Sequence, residues 1–325
     1  MKFETFSQSK EAEKLAFENK AGDFLTKLPR KDGYLDIPKL QKIGEGGTNL
    51  VYEDPENQEF VVKVIKGVLE TVRKEGTSEL SKDLRKRAED YITISNTECQ
   101  KLYEYFGDEH CLREYFVLGK INVDGKTEAE TVLSVQEKSE VFKDPTKVNF
   151  DAYYVEERDD LKDKKTELSS VNKALLADGQ HDEESFLKLY ERLKPIFKLI
   201  ETEESFSEAI KDFVDRFKKY FEATGRFIDI IGEENLLLYQ KEGRWTFQLG
   251  SVIKAETKQN VGEALEMLEN NPEALNDDEE KINRLKNGIN LIRILNAIGL
   301  KTGLGKVVDI NLTTSQLENL EKVKF

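Results

Sequence analysis

The stretch Lys42–Lys66 reads KIGEGGTNLVYEDPENQEFVVKVIK. It predicts two short strands joined by a glycine turn, then a third strand in which Lys63 stands among Phe60, Val61, Val62, Val64 and Ile65. β-Branched and aromatic residues at that density favour a pleated, buried surface. Gly44 and Gly46 sit where the backbone turns tightly and a ligand can come close. The exposed amides of such a turn suit phosphate oxygens. Val51 opens the next strand, where it can pack against a flat base. Lys63 poses the sharper problem, because a buried ammonium is costly unless anions surround it. A carboxylate on one side and a phosphate on the other would satisfy it.

Outward from that stretch, residues 1–34 predict an amphipathic helical arm, with Phe6, Leu15, Phe17, Phe24 and Leu25 among charges. Pro29 and the Lys-Asp-Gly turn at Lys31–Gly33 end it. Glu79–Phe106 carries apolar residues at helical spacing, and Tyr115–Ile121 with Thr131–Gln136 forms a hairpin pattern around Val123–Gly125. Near Glu137–Pro145 the composition shifts. From about Asn149 long charged helices follow, such as FLKLYERLKPIFKLI and FVDRFKKYF, whose aromatic stripes read as core. They are interrupted by NLLLYQKEGRWTFQLGSVIK, two strands around Gln240–Gly243. The expected organisation is α+β and two-lobed. A β-rich N-lobe with one helix spans 35–140, and a mostly helical C-lobe with an internal hairpin spans 141–325.

Composition narrows the function. Sixty-four acidic against 50 basic side chains give a net charge of -14, which opposes a nucleic-acid footprint built on phosphate neutralisation. Cys99 and Cys111 fit no metal or redox spacing, and His110 and His181 lie too far apart in sequence for a His-based site. The first twenty residues are polar, and no run reaches the roughly 18 apolar residues of a membrane span. A cytoplasmic protein without membrane partners is the expectation.

Lys42–Lys66 resembles the glycine loop and lysine strand of the protein kinase-like superfamily, whose loop frame is GxGxxGxV. Gly44 and Gly46 match the first two glycines, Asn49 stands at the third, and Val51 matches the valine. Lys63 matches the lysine that holds the nucleotide's phosphates. The order of elements from about Leu40 to Val252 follows that family's order, but the close match is confined to the loop and the lysine strand. The resemblance implies a two-lobed kinase-like fold, ATP as the bound nucleotide, and a helix glutamate paired with Lys63. Glu98 is the choice for that glutamate and Glu89 the fallback.

The catalytic half departs from the pattern. Asn235, before a strand, matches the family's metal-binding Asn, but the position five before it is Ile230, with Asp229 adjacent. Phe227-Ile228-Asp229 stands where His-Arg-Asp belongs, and Gln248-Leu249-Gly250 where Asp-Phe-Gly belongs. The aspartate of Asp-Phe-Gly holds the magnesium ions of phosphoryl transfer, and a glutamine carbonyl is a weaker ligand for a hard cation. Glu233 or Glu234 beside Asn235 would offer a substitute carboxylate. Asp309 in KVVDINL is a second candidate for the metal position. The resulting expectation is a pseudokinase-like domain that binds ATP through Gly44, Gly46, Val51, Lys63 and Glu98, with weak or absent transfer and a regulatory or binding role. Two other readings stay open. One is an active atypical phosphotransferase using Asp229 as base, with Asn235 and Gln248 toward magnesium. The other is a ligand-free scaffold for a protein partner.

Overall fold

The computed structural model describes all residues except 1, 47, 76–77, 145, 153–163, 178–181, 233–234, 251–255 and 324–325. Pro145, His181, Glu233 and Glu234 therefore lie outside the described residues. The chain forms two compact units, Met1–Glu140 and Val141–Phe325.

The first unit opens with α1 (Lys2–Lys27), then β1 (Arg30–Lys31) and β2 (Tyr34–Asp36). The quoted stretch supplies β3 (Gln41–Glu45), β4 (Asn49–Asp54) and β5 (Asn57–Ile65), two antiparallel hairpins in succession. Pro55 and Glu56 turn β4 into β5, and the Asp54 carboxylate accepts from the Glu56 amide. Next come α2 (Lys66–Glu75), α3 (Lys82–Phe106), β6 (Glu114–Asn122) and β7 (Glu128–Glu137). The seven strands lie in the order β1-β2-β6-β7-β5-β4-β3, with only β2 and β6 parallel.

The charged pattern after Ile65 hid α2, whose Leu69 and Val72 are buried three residues apart on one face. Two helices, not one, therefore connect β5 to β6. Ser81 caps the start of α3 and Gly107, at φ 77°, ends it. α1 contributes core: Phe17 and Phe24 pack on Phe60, with ring centroids 6.2 and 5.2 Å away.

The second unit contains a three-stranded sheet of β8 (Val148–Phe150), β9 (Leu236–Lys241) and β10 (Arg244–Leu249), ordered β10-β9-β8. Glu242 and Gly243, both at positive φ, make the two-residue turn between β9 and β10. Around it lie α4 (Lys164–Leu176), α5 (Glu183–Leu189), α6 (Lys194–Thr202) and α7 (Glu204–Thr224), then α8 (Lys258–Asn270), α9 (Pro272–Leu275), α10 (Glu279–Lys301) and α11 (Thr314–Asn319). The aromatic stripe of α7 covers β10, with Phe213 edge-on to Phe247 at 5.5 Å and Phe206 to Trp245 at 5.0 Å. α10 is buried continuously from Gly288 to Gly299. No helix among the described residues is long and apolar enough to cross a membrane.

Candidate functional site

Strand register places the lysine. Residues paired across neighbouring strands share a face, so Val51, Lys63, Ser134 and Phe116 form one row across β4, β5, β7 and β6. The next row on that face is Glu53, Val61, Gln136 and Glu114. α3 covers the β6 end of it. The Asn96 side chain hydrogen-bonds both ways with the Phe116 backbone, at 2.7 and 3.0 Å, and Tyr91 meets the Phe116 ring edge-on.

Lys63 lies in this layer with its side chain 5% exposed, and its Nζ is 3.1 Å from Glu114 Oε1. The contact has ion-pair distance without hydrogen-bond geometry, and among the described residues Nζ has no hydrogen-bond acceptor. Glu114 is as deeply buried, and both its oxygens are engaged from β7. Ser134 Oγ donates to Oε1 at 2.6 Å, and Gln136 Nε2 donates to Oε2 at 3.4 Å. The carboxylate expected from the helix is thus supplied by a strand. Glu98 is buried on α3, but its carboxylate lies 3.8 Å from Lys101 Nζ, one turn along its own helix. Glu89 is exposed. The helix glutamate was inferred from element order, whereas the lysine's partner is set by register across three strands. A sequence signal for Glu114 did exist, since it heads the otherwise apolar run Glu114–Leu118.

Gly44 and Gly46 lie on the β3–β4 hairpin, where the Gly46 amide donates to the Asn49 carbonyl at 3.0 Å. Neither glycine has positive φ. A Cβ at Gly46 would meet nothing within 4 Å, and one at Gly44 would make only ordinary contact with Val51 at 3.7 Å. Gly44 sits where the β3–β4 register shifts, a place where glycine eases an irregular strand, whereas neither φ nor packing requires a glycine at Gly46. The hairpin is tied to the start of α2: the Lys66 amide donates to the Thr48 carbonyl, and Lys66 Nζ reaches Glu45 at 2.6 Å. Hydrogen bonds from Lys42 and then Lys66 hold the Glu45 carboxyl down at about 2.

No family model, curated protein or solved structure matches this chain.

Cys99 lines the same layer. Burial, then the Glu114 charge, push its thiol well up against the opposing pull of Lys63. Burial likewise lifts the Cys111 thiol to about 12. Protonated thiols of this kind are poor nucleophiles.

In the second unit, Asn235 and Gln248 share one end of the β9–β10 hairpin. The Asn235 carbonyl accepts from the Gly250 amide at 2.9 Å, and Gln248 pairs with Leu237. The Asn235 side chain rests on Gly232, where an added Cβ would come within 2.9 Å of Nδ2. Gln248 is buried. Asp229 is half-buried and its Oδ1 accepts from the Ile231 amide at 3.1 Å, turning the chain into β9. Glu256 was missed from the sequence: burial raises its carboxyl pKa, and the nearby Asp229 adds to that rise against Arg284 and Asn287. Asp309 is elsewhere. Its segment forms no strand, being pinned by Asn296 Oδ1, which accepts from the amides of Val307 and Val308. Asp309 itself is exposed and accepts from Asn311 at 3.2 Å. Among the described residues no three His, Cys, Asp or Glu side chains group as metal ligands.

Proposed function

We propose that the first unit binds the phosphates of a nucleotide, ATP being the expected one, in the manner of a divergent protein kinase-like domain. The observation that carries the reading is the Lys63 ammonium, buried among the described residues with one carboxylate at ion-pair distance and no hydrogen bond. Buried charges are ordinarily satisfied by pairing and hydrogen bonding together. An ammonium with three donors and only one carboxylate at ion-pair distance among the described residues leaves a place for an anion. Gly46 supports the same reading, since close approach of a ligand accounts for a glycine that neither φ nor packing requires, and Gly44 lies beside it on the same hairpin. Val51, half-buried beside Lys63 on the same face, would lie against the base. Further support comes from the strand order β6-β7-β5-β4-β3, with a long helix entering between β5 and β6. The resemblance calls for a β-rich lobe with an inserted helix, and this order is compatible with it although two helices are inserted.

Phosphoryl transfer is weak or absent on this reading. In the sequence resemblance the neutral Gln248 takes the position of the aspartate that anchors magnesium. The chain acts by binding, in a regulatory role. A thermal-shift titration with ATP, with and without magnesium, tests this on the wild type and Lys63→Ala. Stabilisation by ATP that is lost in Lys63→Ala and depends little on magnesium is expected. Absence of any shift sinks nucleotide binding. Magnesium-dependent phosphate release, lost in Asp229→Asn, would favour an active phosphotransferase instead.

A further inference from the structure

We infer that Glu114, tethered by Ser134, is the residue that positions Lys63 for its anionic ligand, in place of a carboxylate on α3. The inference rests on the phosphate-binding reading above and specifies how that site is held. Lys63 and Glu114 stand on β5 and β6, with β7 between them. Neighbouring strands lie about 4.8 Å apart, so the two side chains reach for one another over roughly 10 Å of sheet. The residue beneath that reach is Ser134, paired with Lys63 on one side and Phe116 on the other. Its small side chain leaves the path open, and its hydroxyl fixes Glu114 Oε1 at 2.6 Å. Gln136 fixes the second oxygen from the same strand. The carboxylate is therefore oriented by the sheet before any ligand arrives, and it leaves the ammonium donors to the ligand.

A lysine held by sheet residues moves with the sheet. The contact that orients Lys63 is made within the sheet, whereas the helix glutamate Glu98 lies 3.8 Å from Lys101 on its own helix. Glu114 is thus a positioning residue, and the ligand class it serves is a nucleoside polyphosphate, recognised at its phosphates.

The test compares ADP with adenosine by calorimetry on the full chain, for the wild type, Glu114→Gln, Ser134→Ala and Glu98→Gln. The expected result is a loss of about tenfold or more in ADP affinity for Glu114→Gln, the scale of one charge-assisted contact. Adenosine affinity should be unchanged in that variant. Ser134→Ala should show a smaller loss of the same kind, and Glu98→Gln less than about twofold. A purely structural role for Glu114 would weaken both ligands together, and that outcome overturns the inference. So does ADP-specific loss in Glu98→Gln with none in Glu114→Gln. Should Glu114→Gln fail to fold, Ser134→Ala carries the comparison, and equal ADP affinity there overturns the tether. A wild type that binds no ADP removes the phosphate-binding reading itself, and this inference with it; a wild type that binds ADP as well as its Glu114→Gln variant removes the inference alone.

Discussion

Lys63→Met leaves Glu114 buried without its cation, and the cost can be worked from the geometry. At 3.1 Å and an effective dielectric of about 20, the Coulomb attraction is about 5 kcal/mol. Taking the two ions out of water costs several kcal/mol each, so the intact pair contributes close to nothing net. Breaking one partner is different and costs about 3–5 kcal/mol. The value here should fall at the lower end, because Ser134 and Gln136 continue to donate to the carboxylate. About 3 kcal/mol corresponds to roughly a hundredfold. The slowest amides of β5, β6 and β7 should therefore exchange with deuterium about a hundredfold faster in Lys63→Met. Adding Glu114→Gln should restore most of that protection, since the uncompensated charge is then gone. Protection unchanged in Lys63→Met would refute the reasoning about a buried pair. Equal loss in the single and double variants would refute it too, by showing that the lysine stem rather than its charge is what matters.

Glu45→Gln should loosen the β3–β4 hairpin at neutral pH, read as faster exchange of its amides. The folded carboxyl sits at about 2, below its ordinary 4.5, so its contribution is complete above pH 4.5 and disappears as pH falls toward 2. Wild type and variant should converge over that interval. Gly299→Ala should destabilise the second unit by about 1–3 kcal/mol or more, because the new Cβ would lie 2.2 Å from the Gly305 carbonyl oxygen. Gly262→Ala, in α8 with nothing within 4 Å, should stabilise by up to about 1 kcal/mol; urea unfolding followed at Trp245 reads both, and the opposite order refutes the packing argument. Arg293 is a buried cation of α10 whose Nη1 is 3.5 Å from Asn290 Oδ1, with Nε unsatisfied and no carboxylate paired to it among the described residues. Arg293→Met should leave urea stability unchanged or raise it by about 1 kcal/mol or more, and a loss near 3 kcal/mol would show a counter-ion at work.

Local chemistry made the first part of the chain legible. A glycine turn and a run of β-branched and aromatic residues predict β3, β4 and β5 because strand and turn propensities act within a few residues. The same holds for α3, read from its apolar periodicity, and for the β9–β10 turn, expected at Gln240–Gly243 and made at Glu242-Gly243. α2 escaped because ten residues rich in charge carry only two buried apolar positions. The catalytic-half candidates were placed by order along the chain. The tertiary contacts then sorted them, bringing Asn235 and Gln248 to one hairpin end and leaving Asp309 on an exposed loop.

From sequence alone came the strand that buries Lys63 and the requirement that something anionic meet it, since burial of an ammonium is a local consequence of the apolar residues around it. Which carboxylate meets it was decided only by the tertiary structure. Glu98 and Glu114 are both acids near the end of α3 in sequence. The register of β5, β7 and β6, with a serine at the crossing point, brings Glu114 rather than Glu98 to within 3.1 Å of Nζ. Register is a collective property of paired strands, and no single stretch of sequence contains it.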